Sequence, residues 1–125
     1  MGGRAVPEGY HTVTPYIVAK DAPRLLDFVT KVFDAQILER METPGGMHSE
    51  VRIGDSRLMI GGRNDGSDAM PAMFYLYVGD ADETYRRALA AGAESIEAPN
   101  DAPYGDRRAG VKDAAGNKWY VAHRR

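Results

Sequence analysis

Imidazoles and thiols able to do acid–base or metal chemistry are few: the chain has three histidines and no cysteine. His48 and Glu50, with one residue between them, put an imidazole and a carboxylate on the same face of any strand that carries them. Such a pair can relay a proton if desolvation raises the carboxyl pKa, or supply two ligands to a divalent ion. A polar pair hydrogen-bonded on an open sheet face has the same spacing, and residue types alone do not separate these readings. His11 and His123 fall on the opposite alternation phase, near strand ends. The missing cysteines exclude thiol nucleophiles, disulfides and cysteine-type zinc sites. No Ser-His-Asp order with supporting context and no glycine-rich phosphate loop offers a rival mechanism. Gly45-Gly46 and Gly61-Gly62 read as turn-associated pairs.

A second group of candidates is aromatic. Val13, Ile17, Val51, Ile53, Leu58, Ile60, Phe74, Leu76, Val78, Trp119 and Val121 share one alternation phase and are expected to face helices. The other phase carries Thr14, Tyr16, His48, Glu50, Arg52, Arg57, Met59, Met73, Tyr75, Tyr77, Arg108, Lys112 and Tyr120. Aromatic walls with a few oriented polar groups suit a small-molecule pocket, because tyrosine rings stack while their hydroxyls hydrogen-bond. The same mixture also suits a solvated sheet face or an interface. On this reading Glu50 is the only acidic residue in the cavity. The YGDR loop at 104–107 either brings Tyr104 and Arg107 over the ligand or pairs Asp106 with Arg107.

The elements that would position these residues follow from local signals. YHTVTPYIVA (10–19) is β-branched and aromatic, a strand whose Pro15 suggests an edge or bulge. Asp21 offers an N-cap, Pro23 fits a first helical turn, and Leu25, Phe28, Val29 and Val32 recur at helical spacing up to a stop at Asp34. Strands 35–42, 47–53 and 56–61 follow, separated by Pro44-Gly45-Gly46 and Gly54-Asp55. After a polar linker at 62–71 the order recurs. Strand 72–78 precedes a helix capped by Asp80 or Asp82 and closed at Gly92, and strands 93–98, 107–113 and 118–123 complete the chain.

Val18 and Val78, Asp34 and Gly92, Val51 and Val111, and Leu58 and Trp119 correspond at an offset of about 60 residues. The chain is therefore an α+β fold of tandem β-α-β-β-β repeats, about 10–61 and 72–123, behind a loose tail at 1–9. Each repeat is too short to bury a core well by itself. Pairing them within one domain of 125 residues predicts two four-stranded mixed sheets, each with a helix on one face.

Composition agrees with a soluble globular domain, expected in the cytoplasm. A formal charge of −2, from 16 basic and 18 acidic residues, gives no overall field toward nucleic acid or anionic lipid. No apolar run reaches the ~18 residues of a membrane span. The first residues, MGGRAV, lack a signal core and the Ser or Thr of a myristoylation site.

The repeat resembles the vicinal oxygen chelate superfamily of glyoxalases, bleomycin-resistance proteins and extradiol dioxygenases. The resemblance is carried by TPYIVAKDAPRLLDFVTKVFDA (14–35), VRIGDSRLMI (51–60), YVGDADETYRRALAAGA (77–93), YGDR (104–107) and VKDAAGNKWYVAH (111–123). The last segments are similar to the glyoxalase-like, phosphonate-metabolism-related branch. Departures are Val29 and Asp34 in the helix, and the turn Asp113-Ala114-Ala115-Gly116-Asn117.

The resemblance implies a concave cavity with helices on the outer face. It also implies metal ligands on the first and last strands of each repeat, at Thr14, Met59, Met73 and Tyr120 in this chain. Those four side chains do not make a set for a hard divalent ion. The expectation is thus a metal-independent small-molecule-binding protein without a cofactor, its aromatic or polar ligand held by Thr14, Tyr16, Arg52, Arg57, Met59, Met73, Tyr75, Tyr77, Tyr104, Arg108 and Tyr120. The alternative is a lyase/isomerase-type or dioxygenase-like enzyme, with His48 and Glu50 transferring protons or holding a displaced metal. A third reading is a non-catalytic module whose concave face a partner chain occupies. The resemblance implies a homodimer, and leaves open whether the repeats pair within one chain or exchange between two.

Overall fold

The computed structural model describes residues 5–125, so residues 1–4 of the expected tail lie outside the described part. Ten elements appear in the expected order: β1 (Tyr16–Val18), α1 (Ala22–Phe33), β2 (Gln36–Thr43), β3 (Gly46–Ile53), β4 (Ser56–Arg63), β5 (Met73–Tyr77), α2 (Ala81–Ala90), β6 (Glu94–Asp101), β7 (Asp106–Lys112) and β8 (Lys118–Arg124). They form two four-stranded sheets, ordered β1-β4-β3-β2 and β5-β8-β7-β6. In each, the first strand of the repeat runs parallel to the last and the remaining pairs are antiparallel. The two sheets are the same construction built twice, as the internal repeat requires.

Helix boundaries follow local chemistry. The Asp21 carboxylate accepts from the Arg24 N–H at 3.2 Å, satisfying one of the first-turn donors beside Pro23. At the other end Asp34 adopts φ 54° and ψ 36°, the left-handed stop that a short polar side chain tolerates. Asp80 caps α2 through the Glu83 N–H at 3.1 Å. His123 on β8 adds a long-range cap, its Nδ1 accepting from Ala81 N–H at 2.9 Å. Gly92, at φ 100°, ends that helix.

Each helix covers one face of its sheet, and the two helices touch. Ile17, Val51, Leu58, Ile60, Trp119 and Val121 are buried beneath them, and Ile53, Phe74, Leu76 and Val78 pack partly buried against the same core. Phe33 and Trp119 meet with ring centroids 4.9 Å apart, so the core runs continuously across the repeats. Arg87 of α2 adds an ion pair at 2.9 Å to Asp34 at the end of α1.

The first strand is shorter than its composition suggests. It starts at Tyr16, not Tyr10, and Val13, expected in the core, is 81% exposed. Proline cannot donate to a ladder, so pairing with β4 begins only where the Pro15 carbonyl accepts from Met59 N–H at 2.9 Å. β4 runs to Arg63, shortening the linker from its N-terminal side, and β6 extends to Asp101 through two irregularities in its pairing with β7. Among the described residues no helix is long and apolar enough to cross a membrane.

Candidate functional site

The second sheet carries the densest polar–aromatic cluster. Met73, Tyr75 and Tyr77 alternate along the exposed phase of β5, and Tyr120 of β8 sits in register with Tyr75. Gly110 of β7 lies opposite Tyr120, and a Cβ at Gly110 would stand 2.8 Å from that ring. Glycine is what lets the aromatic ring lie down on the sheet. Arg108 then extends over the Tyr120 ring, its guanidinium carbon 5.7 Å from the centroid, within cation–π range. Glu97 on β6 fixes Arg108 through two hydrogen bonds, of 2.8 and 3.1 Å.

Asp106 is the hub of this cluster. Its side chain is fully buried, and Oδ2 accepts from the Tyr75 and Tyr77 hydroxyls at 2.9 Å each. Tyr104, from the β6–β7 loop, bridges the Tyr75 hydroxyl at 3.0 Å and the Arg108 guanidinium at 2.9 Å. Among the described residues Asp106 Oδ1 has no hydrogen-bond partner, although Arg124 Nε stands 3.3 Å away as an ion pair. Burial pushes the Asp106 carboxyl pKa up, but the two tyrosine hydroxyls and the Arg124 charge outweigh that and hold it below the ordinary carboxylate value. Burial, followed by hydrogen bonding to Tyr104 and Asp106, raises the Tyr75 hydroxyl pKa well above that of free tyrosine. The bond to Asp106, followed by burial, raises that of Tyr77.

The first sheet carries a separate cluster. Tyr16 on β1 meets His48 of β3, hydroxyl to Nδ1, at 2.8 Å, and Tyr10 donates to Glu50. Arg57 lies over the Tyr10 ring at 5.2 Å, Arg52 donates to Gln36, and Met59 is in register with both Tyr16 and Glu50. The Tyr10 hydroxyl is the main cause that holds the Glu50 pKa below the ordinary value, against the opposing effect of burial. Thr14 lies before β1, outside any strand. Lys112 pairs with Glu94 at 3.9 Å.

Tyr75, Tyr77, Tyr104 and Arg108 are thus gathered into one network, with Met73 and Tyr120 on the same face. Tyr16, His48, Glu50, Arg52, Arg57 and Met59 belong to the other sheet. Arg57 comes nearest to joining the two sets, because it lines a groove of about 950 Å³ between the halves together with Tyr75 and Tyr77. Glu50 is not the only acid on these faces, since Asp106 and Glu97 hold the second cluster together. Asp106 and Arg107 do not pair: Arg107 takes Asp82 at 3.0 Å and Asp101 at 3.3 Å. The signal for Asp106 was available in phase, since it alternates with Arg108, Gly110 and Lys112. β7 begins at Asp106, one residue before the strand expected from the sequence.

A family metal would need donors suited to a hard ion at Thr14, Met59, Met73 and Tyr120. Two thioethers, an alcohol and a phenol do not fit that requirement. Among the described residues no group of three or more His, Asp or Glu is placed to hold an ion.

The comparisons with known proteins agree with this architecture. An uncharacterised protein of Mycobacterium bovis is 33% identical over 120 residues, covering 86% of this chain and 79% of the relative. TioX from a Micromonospora species superposes with a TM-score of 0.76 at 23% identity, covering 93% of this chain and all of that one. TnmS3, an antibiotic binding protein from a Streptomyces species, superposes with a TM-score of 0.73 at 17% identity over 98% of this chain and 100% of its own. The family model for the glyoxalase/bleomycin resistance protein/dioxygenase superfamily matches residues 10–121, nearly the whole described fold, and the chain belongs to that superfamily.

Proposed function

We propose that this protein binds a small aromatic or polar molecule on the tyrosine- and methionine-bearing face of its second sheet, without the metal that enzymes of the superfamily use. The observation that carries this reading is the network of Tyr75, Tyr77 and Tyr104 around buried Asp106. It holds the hydroxyls still while leaving Tyr75 40% and Tyr77 62% exposed. Rings fixed in place before a ligand arrives lose little further freedom on binding, which favours affinity. The antibiotic-binding description of TnmS3 supports the same direction. YGDR (104–107) and VKDAAGNKWYVAH (111–123) support a place in the phosphonate-metabolism-related branch, from whose pattern the turn at Asp113–Asn117 departs.

The protein is proposed to act as a homodimer. β1 and β5 are edge strands, β1 being bridged on its outer side by Met70 at Val18, and Val13 beside β1 stands 81% exposed, which favours a second copy covering these edges. The enzymatic alternative through His48 and Glu50 has weaker support. Each is engaged by its own tyrosine, and a carboxylate held below its ordinary pKa is a poor general base at neutral pH.

Native mass spectrometry and metal analysis of freshly purified protein test the reading. A co-purified small molecule on a dimer, with less than stoichiometric metal, is the expected result. One tight equivalent of a transition metal overturns metal independence. A thermal-shift screen should then find ligands whose stabilisation disappears in Tyr75→Ala and survives in Glu50→Gln. A reaction that Glu50→Gln abolishes would establish the enzymatic reading instead.

A further inference from the structure

The hydroxyl protons around Asp106 have one arrangement open to them, and it determines what this face can offer a ligand. A guanidinium only donates, and an ionised carboxylate only accepts. Tyr75 and Tyr77 each own a single hydroxyl proton and each donate it to Asp106 Oδ2. The 3.0 Å contact between Tyr75 and Tyr104 is therefore donated by Tyr104. Arg108, at 2.9 Å, in turn donates to Tyr104. The protons run one way, from Arg108 through Tyr104 and Tyr75 to Asp106, with Tyr77 joining from the opposite side.

What Tyr77 leaves exposed is an acceptor. Tyr77 is 62% exposed, and among the described residues its hydroxyl oxygen accepts no hydrogen bond. Met73, 67% exposed, adds an apolar sulfur two residues before Tyr75 on the same strand face. The Tyr75 and Tyr77 rings meet at 61° with centroids 5.6 Å apart, so a flat ligand can lie on one ring and meet the edge of the other. Tyr120 is the tyrosine of this face whose proton is uncommitted among the described residues, and Arg108 lies over its ring.

Resting on the small-molecule reading above, we infer that the Met73–Tyr75–Tyr77 patch selects a planar aromatic ligand by the ligand's own hydrogen-bond donor, a ring hydroxyl or amine, and disfavours ligands whose polar groups only accept. An acceptor brought to Tyr77 meets lone pairs and loses its water without replacement, which costs more than forgoing a hydrogen bond altogether.

The test uses two probes of one shape, 2-naphthol and 2-methoxynaphthalene, titrated into the full-length protein by calorimetry. The ether is the more apolar, so burial alone would favour it. The expected result is naphthol binding about tenfold tighter than the ether, with Tyr77→Phe erasing most of that preference while its melting temperature stays close to wild type. Equal binding of both probes, lost together in Tyr75→Ala, overturns the donor rule and leaves the small-molecule site standing. Loss of the preference in Tyr120→Phe but not in Tyr77→Phe also overturns it. Failure of both probes to bind overturns the rule together with the reading on which it rests.

Discussion

Phe33, the last residue of α1 in the first repeat, packs against Trp119 of β8 in the second, with ring centroids 4.9 Å apart and planes at 45°. Phe74 stacks on the same indole at 4.9 Å and 24°, and Phe28 meets Phe33 edge-on at 6.0 Å. The two repeats therefore share one aromatic core, although each forms its own sheet.

That sharing makes unfolding cooperative. Phe33→Ala should cost roughly 3–5 kcal/mol, the usual range for emptying a buried phenylalanine site. Urea denaturation followed by far-UV circular dichroism and by tryptophan fluorescence should give coincident single transitions, both shifted. Two separated transitions would mean that the repeats fold independently.

Asp113 makes a second, purely polar anchor in the β7–β8 turn. Its carboxylate accepts from Ala115 N–H, Asn117 N–H and the Asn117 amide, and from the Trp119 indole N–H at 2.8 Å. Asp113→Ala strands several buried donors at once, each worth about 1–3 kcal/mol when left unpaired. The variant should lose about 3 kcal/mol or more and shift the emission of the single tryptophan, both read from a fluorescence-monitored denaturation curve. Asp113→Asn, which keeps an acceptor oxygen, should recover part of the loss.

Gly61 explains how Tyr16 reaches His48. It lies opposite His48 in the β3–β4 ladder, and a Cβ there would stand 2.9 Å from the Tyr16 hydroxyl oxygen and 2.5 Å from the Met47 carbonyl oxygen. Gly61→Ala should therefore destabilise the protein by about 1–3 kcal/mol, the range for overpacking. It should also break the Tyr16–His48 hydrogen bond, visible as a shift in the His48 ring resonances by NMR. Unchanged resonances would show that the ladder accommodates the methyl without moving Tyr16.

The Asp106 network should govern both ends of the pH–stability curve. Asp106 has a lowered pKa in the fold, so the unfolded chain binds its proton more readily. Its contribution is present above about pH 4 and disappears as the pH falls through the folded value. Tyr75 has a raised pKa, so its contribution is present below about pH 10 and disappears as the pH rises through the folded value. Denaturation measured across pH should show a shallower acid limb in Asp106→Asn and a shallower alkaline limb in Tyr75→Phe. If neither limb changes, the network does not control stability.

Much of this protein is local and therefore readable along the chain. Caps act within a few residues, so Asp21, Pro23, Asp34, Asp80 and Gly92 delimit the helices without tertiary information. Alternation has a period of two, so Tyr75, Tyr77, Tyr120 and Arg108 could be assigned to one face from spacing. The repeat implies two sheets of like construction, and the residues of the apolar phase all pack against the core except Val13. There the deciding factor was Pro15, whose missing N–H delays pairing.

Tertiary structure decided what those faces contain. Sequence phase put His48, Glu50 and the tyrosines of β5 on one kind of face, but it carries no term for the distance between two sheets. The two clusters lie on different sheets, and packing of α1 on α2 and of Phe33 on Trp119 joins those sheets so that Arg57, Tyr75 and Tyr77 line one groove between them. The role of Asp106 depends on partners 29 and 31 residues away, brought to one carboxylate by strand order rather than by spacing. Local propensity and alternation thus identify which side chains a sheet presents. Which of them share a proton network, and in which direction, is decided only when long-range packing removes a carboxylate from water and leaves the nearby hydroxyls to satisfy it.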